Sequence, residues 1–247
     1  MKYFAKIRYI GTAFHGFQVQ PDKRTVQGEL CCALKLATGV FCRVTGCSRT
    51  DAGVHANEFC IRIDAEGATV PADKLPIAVS RFLPEDLSLF FAEECDTDFH
   101  PRYDVVSKQY LYRIINRKIY DPFEVGRAWF PQRTFSQDGI ERMKEASKHF
   151  IGRQDFSAFM SEGSDVTDCV RTVYSLSVEQ KDDLVEIKIS ADGFLYNMVR
   201  IIVGTLADVG YGRFSSDEIP EIIASKDRTR AGMTAPPCGL YLNKVTY

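Results

Sequence analysis

The sequence predicts an α+β fold of two halves that repeat one order of elements, strand, helix, strand, strand, helix, strand. Apolar and polar residues alternate over several short runs, which is the period of a half-buried strand. In other runs apolar residues recur every three or four positions, which is the period of an amphipathic helix. This succession of runs occurs twice along the 247 residues.

The first half begins with alternation from Lys2 to Ile10, which predicts a strand. Thr25 stands where a helix N-cap belongs, and Gly39 stops the helical spacing that follows it. The remaining runs predict, in order, strands over residues 40–45 and 58–64, a short helix over 74–82 and a strand over 87–94.

The second half repeats the order. Its runs predict strands over residues 108–116, 174–178 and 185–189, helices over 140–150, 195–206 and 219–223, and a closing strand over 240–247. Both halves match the ferredoxin-like arrangement, an antiparallel sheet with its helices on one face. The other face could bind RNA, an inference by analogy only. We place the division near residues 96–102, which gives domains 1–98 and 99–247.

Composition describes an ordinary globular chain, with 45% hydrophobic residues and a mean hydropathy of -0.17. Charges interrupt the apolar residues near the N-terminus, and no run is long enough to span a membrane, so a cytoplasmic protein is expected. The eight cysteines include no C-x-x-C pair or zinc-type cluster. We therefore expect their thiols to be reduced and most of the side chains to serve packing.

The formal net charge of -2 argues mildly against a polyanionic partner. The charge is nevertheless uneven along the chain. Residues 99–153 hold 11 Lys and Arg against 6 Asp and Glu, whereas residues 162–191 hold 3 against 7. A basic face on the second half is therefore compatible with the acidic total, although charge runs usually mark solvated surfaces.

The run from Gly46 to His55 concentrates charged and polar chemistry between two predicted strands. Glycines at both ends allow backbone conformations that can present Arg49 and Asp51 in fixed directions. A nearby guanidinium would keep the Asp51 carboxylate ionised, which suits a nucleophile or an anion ligand. The alternative is a structural surface turn in which the Asp51 side chain caps the backbone.

Two other features of the sequence resemble binding motifs but do not indicate a binding site. His55 follows Asp51 by four residues, but no third metal ligand stands near it, and we expect it to shape the loop. The pair Gly11 and Gly16 lacks the Lys-Ser/Thr of a phosphate-binding loop. We therefore predict no nucleoside triphosphate site and no metal.

Six blocks in one order resemble the TruA family of tRNA pseudouridine synthases, and the resemblance runs over nearly the whole chain. Each block is short, but six in order are highly specific. The second of these blocks follows the predicted first strand as a helix, and the third is the Gly-bracketed loop, which resembles the catalytic motif of the family. The blocks are Tyr9–Gln18, Arg24–Leu30, Arg49–His55, Phe99–Arg102 with Lys108–Tyr112, Phe194–Arg200 with Ile202–Gly204, and Thr234–Leu242.

The resemblance implies a role for four residues. Asp51 would be the nucleophile or would stabilise charge as the glycosidic bond breaks, and Arg200 would be its ion-pair partner. Tyr110 would stack on the target base, and Arg49 would contact the RNA backbone near the flipped nucleotide. The apolar pattern alone predicts a solvent-facing Arg200 and an ordinary packing role for Tyr110.

The resemblance also implies two halves joined around a central cleft, and a cofactor-free homodimer that modifies uridines 38, 39 and 40 in the anticodon arm of tRNA, away from any membrane. Two other functions stay open. One is a non-catalytic RNA-binding or folding module that uses the basic second half. The other is a carboxylate hydrolase, which would need a second acid, for which Glu58 is the nearest candidate.

Overall fold

The computed structural model describes residues 1–163 and 166–247, and in them it confirms a mixed α+β protein with mostly antiparallel strands. The strands are β1 (Lys2–Tyr9), β2 (Arg43–Gly46), β3 (His55–Asp64), β4 (Leu87–Glu94), β5 (Ser107–Ile115), β6 (Gly152–Asp155), β7 (Val170–Lys181), β8 (Leu184–Ala191) and β9 (Leu240–Thr246). The α-helices are α1 (Val26–Thr38), α2 (Leu75–Ser80), α3 (Gln137–Ser147), α4 (Met198–Gly210) and α5 (Ile219–Ser225).

The chain forms two compact units. The first comprises Met1–Val106 and the C-terminal Tyr241–Tyr247, and the second comprises Ser107–Leu240. The C-terminal segment joins the first unit because β9 pairs in parallel with β3, with Tyr241 opposite His55 and Leu242 opposite Ala56. A pairing between strands so distant in sequence leaves no trace in the local pattern of either strand.

The first unit has the strand order β4-β1-β3-β9, and β2 pairs with the other end of β3. Every pair except β3 with β9 is antiparallel. The predicted alternation of β1 is confirmed, since Tyr3, Ala5, Ile7 and Tyr9 are all buried. Both predicted limits of α1 are confirmed as well: the Thr25 hydroxyl accepts from a main-chain N–H of the first turn, and the residue after the helix is left-handed.

The second unit has the strand order β5-β8-β7-β6, and all three pairs are antiparallel. The sequence pattern did not predict β6, because this strand has only four residues and they are polar. It pairs with β7. Helix α4 begins at Met198, later than the predicted start at residue 195, because Asn197 has a left-handed backbone with φ of 60°.

Candidate active site

The loop that carries Asp51 connects the antiparallel neighbours β2 and β3 in the first unit. It contains a turn, in which the main-chain N–H of Val54 donates to the Asp51 carbonyl at 3.2 Å and Gly53 has φ of +79°. Asp51 itself is half-buried, and Arg49 is exposed on the same loop. A turn in this loop is therefore compatible with a loop that presents the side chains of Asp51 and Arg49.

The end of β1 and the segment after it hold this loop by three hydrogen bonds. The N–H of Phe17 donates to the Thr50 carbonyl at 3.1 Å, and the N–H of Gly53 donates to the Phe14 carbonyl at 3.3 Å. The Tyr9 and Thr50 hydroxyls form a buried bond at 2.8 Å. Bonds on both sides of Asp51 thus fix the backbone that positions its carboxylate.

Two glycines of that segment allow the close approach. A Cβ atom on Gly11 would lie 1.9 Å from the Val54 carbonyl oxygen, and one on Gly16 would lie 2.5 Å from the Thr50 carbonyl oxygen. Both distances are far inside van der Waals contact. Gly11 and Gly16 therefore serve backbone packing against the Asp51 loop, a role that their spacing in the sequence did not indicate.

His55 shapes the loop, as predicted. Its side chain is fully buried, its Nδ1 atom accepts from the Gly11 N–H at 2.9 Å, and its ring stacks on Tyr241 with centroids 4.4 Å apart. Because Nδ1 accepts this bond, it carries no proton. The imidazole therefore joins the start of β3 to both the first segment of the chain and β9.

Glu58, the candidate second acid of the hydrolase hypothesis, has both carboxylate oxygens engaged. One lies 3.1 Å from the Lys6 ammonium, and the other accepts from the main-chain N–H of Val245 at 3.5 Å. These contacts tie Glu58 to the sheet of the first unit. They give it a structural role in that sheet, and the hydrolase hypothesis gains no support.

Tyr110 lies on β5 in the second unit, opposite Ile189 of β8. It is 7% exposed, and Phe194 meets its ring edge to face with centroids 5.0 Å apart. Tyr112, two residues on, is fully buried, and its hydroxyl donates to the Pro236 carbonyl at 2.7 Å. Burial raises the pKa of Tyr112 well above its usual value, so this phenol stays protonated as a core group.

Arg200 lies in the first turn of α4 and is half-buried, so the solvent-facing position that the apolar pattern predicted is wrong. Its Nε atom donates to the Ala235 carbonyl at 2.7 Å, and its Nη1 atom donates to Asn197 Oδ1 at 2.8 Å. The Ala235 N–H in turn donates to the Arg200 carbonyl at 3.0 Å. A segment distant in sequence thus covers this side of the helix.

The structure therefore places the four predicted site residues in pairs: Arg49 and Asp51 share one loop of the first unit, and Tyr110 and Arg200 belong to the second unit. Sequence reasoning missed the residues that anchor them, namely Tyr9, Gly11 and Gly16 in the first unit and Asn197 and Ala235 in the second. Most of these contacts join segments far apart in the sequence, for which a residue's own neighbours carry no signal, whereas the Asn197–Arg200 bond spans only three residues.

Across residues 1–163 and 166–247, no cluster of three or more His, Cys, Asp or Glu side chains could hold a metal ion. All eight cysteines are thiols in the same described ranges. None of the described helices is long and apolar enough to cross a membrane.

The chain belongs to the tRNA pseudouridine synthase family, whose profile matches residues 5–104 and 146–247. A protein of Thermoanaerobacter sp. (strain X514) named tRNA pseudouridine synthase A is 45% identical over 98% of this chain and 97% of its own length. The protein of the same name from Listeria monocytogenes is 43% identical over 100% of this chain and 99% of its own length.

A crystal structure of a Cbf5-Nop10-Gar1 complex has a distant likeness to the chain, with a TM-score of 0.33 and 12% identity over 82% of this chain and 53% of that one.

Proposed function

We propose that this protein isomerises uridine to pseudouridine in tRNA, at positions 38, 39 and 40 of the anticodon stem and loop. The observation that carries the proposal is the full-length similarity to proteins named tRNA pseudouridine synthase A, together with a family match over residues 5–104, the range in which the Arg49-Thr50-Asp51 motif lies. The protein would act without a cofactor, as a cytoplasmic homodimer.

The reaction breaks the bond between N1 of uracil and C1′ of the ribose and forms a bond between C5 and C1′. The C5 proton leaves and N1 takes up a proton, so the product is an isomer of the substrate. Asp51 would supply the carboxylate that attacks the nucleoside or stabilises the charge on the separating sugar. The rigid backbone around Asp51 supports this role, because a positioned nucleophile needs no reorganisation during the reaction.

The other three residues would bind the flipped nucleotide and the carboxylate. Arg200 would pair with Asp51 and keep it ionised and oriented. Tyr110 would stack on the uracil, and its phenol would help to remove the C5 proton. Arg49, exposed on the same loop as Asp51, would bind the RNA backbone after the base leaves its stack, a step that costs a few kcal/mol.

We further propose two ferredoxin-like halves around a central cleft, with the Asp51 loop in residues 1–98 and Tyr110 and Arg200 in residues 99–247. The first unit supports the ferredoxin-like arrangement of the first half. Its strands β4, β1, β3 and β2 are hydrogen-bonded neighbours in that order, and α1 and α2 lie between these strands in the sequence.

The first experiment maps pseudouridine in unmodified tRNA transcripts after incubation with the protein. We expect product at positions 38 to 40 with the wild type and none with Asp51→Ala, while the affinity for tRNA changes by no more than a few fold. Asp73→Ala is the matched control, because Asp73 is an exposed carboxylate whose ion-pair partner among the described residues is its neighbour Lys74.

Four outcomes would contradict the proposal. Absence of product in the anticodon arm would reject the proposed positions. Equal product with Asp51→Ala would reject the nucleophile, and tRNA binding without any product would favour the non-catalytic module. Release of uracil from free uridine would instead point to a hydrolase.

A further inference from the structure

We infer that Asn197 is the positioning residue of the active site: its neutral amide holds the Arg200 guanidinium in place and leaves the arginine's positive charge to the catalytic carboxylate. This inference rests on the proposed function, in which Arg200 is the partner of Asp51.

The first step of the argument is the backbone of Asn197. It has φ of 60° and ψ of 7°, a left-handed conformation that side-chain-bearing residues rarely adopt. It stands directly before α4, where an asparagine side chain normally accepts a hydrogen bond from the first turn of the helix. Asn197 makes no such cap. Its side chain therefore serves something other than the start of the helix.

The second step is what the amide contacts instead. Its oxygen accepts from Arg200 Nη1 at 2.8 Å, and its nitrogen donates to the Ser161 hydroxyl at 3.0 Å. The main-chain N–H of Ser161 donates to the Tyr196 carbonyl at 3.1 Å, which ties the same two segments together again. The amide thus connects the guanidinium to a segment 36 residues away in sequence.

The third step is the charge of the anchors. Arg200 is held on one side by the Ala235 carbonyl and on the other by the Asn197 amide, and both acceptors are uncharged. A neutral acceptor orients a guanidinium without neutralising it, whereas a carboxylate at the same place would form a charge-assisted pair with it. Two neutral anchors therefore suit an arginine whose positive charge acts on a carboxylate elsewhere, which in the proposed function is that of Asp51.

Two variants separate the orienting role from the charge. Asn197→Gly removes the amide but keeps the left-handed backbone, which glycine adopts without strain. Asn197→Asp keeps an oxygen acceptor of nearly the same shape and adds a negative charge. Asp182→Gly is the matched control, because Asp182 is also left-handed, with φ of 53°, and lies in the hairpin between β7 and β8.

The measurement is the single-turnover rate of tritium release from C5 of labelled uridine in a tRNA transcript, with enzyme in excess, together with tRNA affinity and the thermal midpoint. We expect a rate about tenfold to a hundredfold lower for Asn197→Gly, with affinity within roughly twofold of the wild type. We expect the rate of Asn197→Asp to fall at least as far, at an unchanged thermal midpoint. Asp182→Gly should react at the wild-type rate.

A wild-type rate for Asn197→Gly would overturn the inference. A lower rate that is fully explained by a lower thermal midpoint or a weaker tRNA affinity would overturn it as well. A wild-type rate for Asn197→Asp would overturn the requirement for a neutral anchor. The proposed function fails separately, when the wild type forms no pseudouridine or when Asp51→Ala remains active.

Discussion

At the scale of single residues, the Asp51 loop depends on a pair of hydroxyl groups. Tyr9 is 4% exposed and Thr50 is 7% exposed, and their bond joins the end of β1 to the residue directly before Asp51. A buried hydroxyl that loses its partner costs about 1–3 kcal/mol. A defect at Thr50 moves the backbone from which the Asp51 carboxylate projects.

We predict that Tyr9→Phe lowers both the free energy of unfolding, by about 1–2 kcal/mol, and the rate of pseudouridine formation, by about tenfold, because it leaves the Thr50 hydroxyl without this partner. The control is Tyr3→Phe. The buried Tyr3 hydroxyl donates to the Val70 carbonyl at 2.8 Å, away from the Asp51 loop. Chemical denaturation and single-turnover rates decide: similar rates for both variants would contradict the prediction.

At the scale of elements, α4 shows how a helix can be buried on every side. Every residue of α4 except Arg200 is buried. Its polar groups are satisfied inside the fold: the Thr205 hydroxyl donates to the Ile201 carbonyl at 2.8 Å and accepts from the Gly232 N–H at 2.9 Å. A Cβ on Gly204 would lie 1.8 Å from the Met233 carbonyl oxygen. The segment around residue 233 therefore packs directly on the helix backbone.

We predict that Gly204→Ala destabilises the protein by about 1–3 kcal/mol, because the added methyl group must push this segment away from α4. It should also lower activity, since the same segment presents the Ala235 carbonyl to Arg200. Gly28→Ala in α1 is the matched helical control, because its Cβ meets only side-chain atoms, at 3.0 Å or more. Equal denaturation midpoints for the two variants would refute the close packing.

At the scale of the whole molecule, buried thiols and phenols make stability depend on alkaline pH. Burial raises the pKa of Cys60 to about 12 from a usual value of 9.0, and it also raises the pKa values of Cys31, Cys238 and Tyr112. These groups hold their protons more tightly in the folded state than in the unfolded state. Above the unfolded-state pKa, loss of the proton therefore favours unfolding.

We predict that the free energy of unfolding changes little between pH 7.5 and about pH 8.5 and falls progressively above pH 9, as the thiols of the unfolded chain ionise first. Urea denaturation at pH 7.5, 9.0 and 10.0 measures the effect. Cys60→Ala should reduce the fall, because it removes a thiol whose pKa burial raises in the folded state. Stability that rises with pH across this range would contradict the prediction.

The positions of most elements could be predicted from the sequence, because periodicity reports which face of one element is buried. The alternation in β1, the Thr25 cap and the Gly39 stop of α1 are all local signals, and the structure confirms them. The four-residue strand β6 escaped prediction because it is too short and polar to show a period. Of the candidate site, the motifs predicted Asp51, Arg49, Tyr110 and Arg200 by resemblance, and their roles stay proposals.

By itself, then, the sequence determined the class of fold, the order of most elements and the family to which the chain belongs. Only the tertiary structure decided that β9 joins the first unit, that Arg200 is half-buried and that Gly11 serves close packing. The physical reason is the same in each case. Partners from distant parts of the chain make these contacts, so the surroundings of the residue, and not its own segment, set its burial and hydrogen bonds.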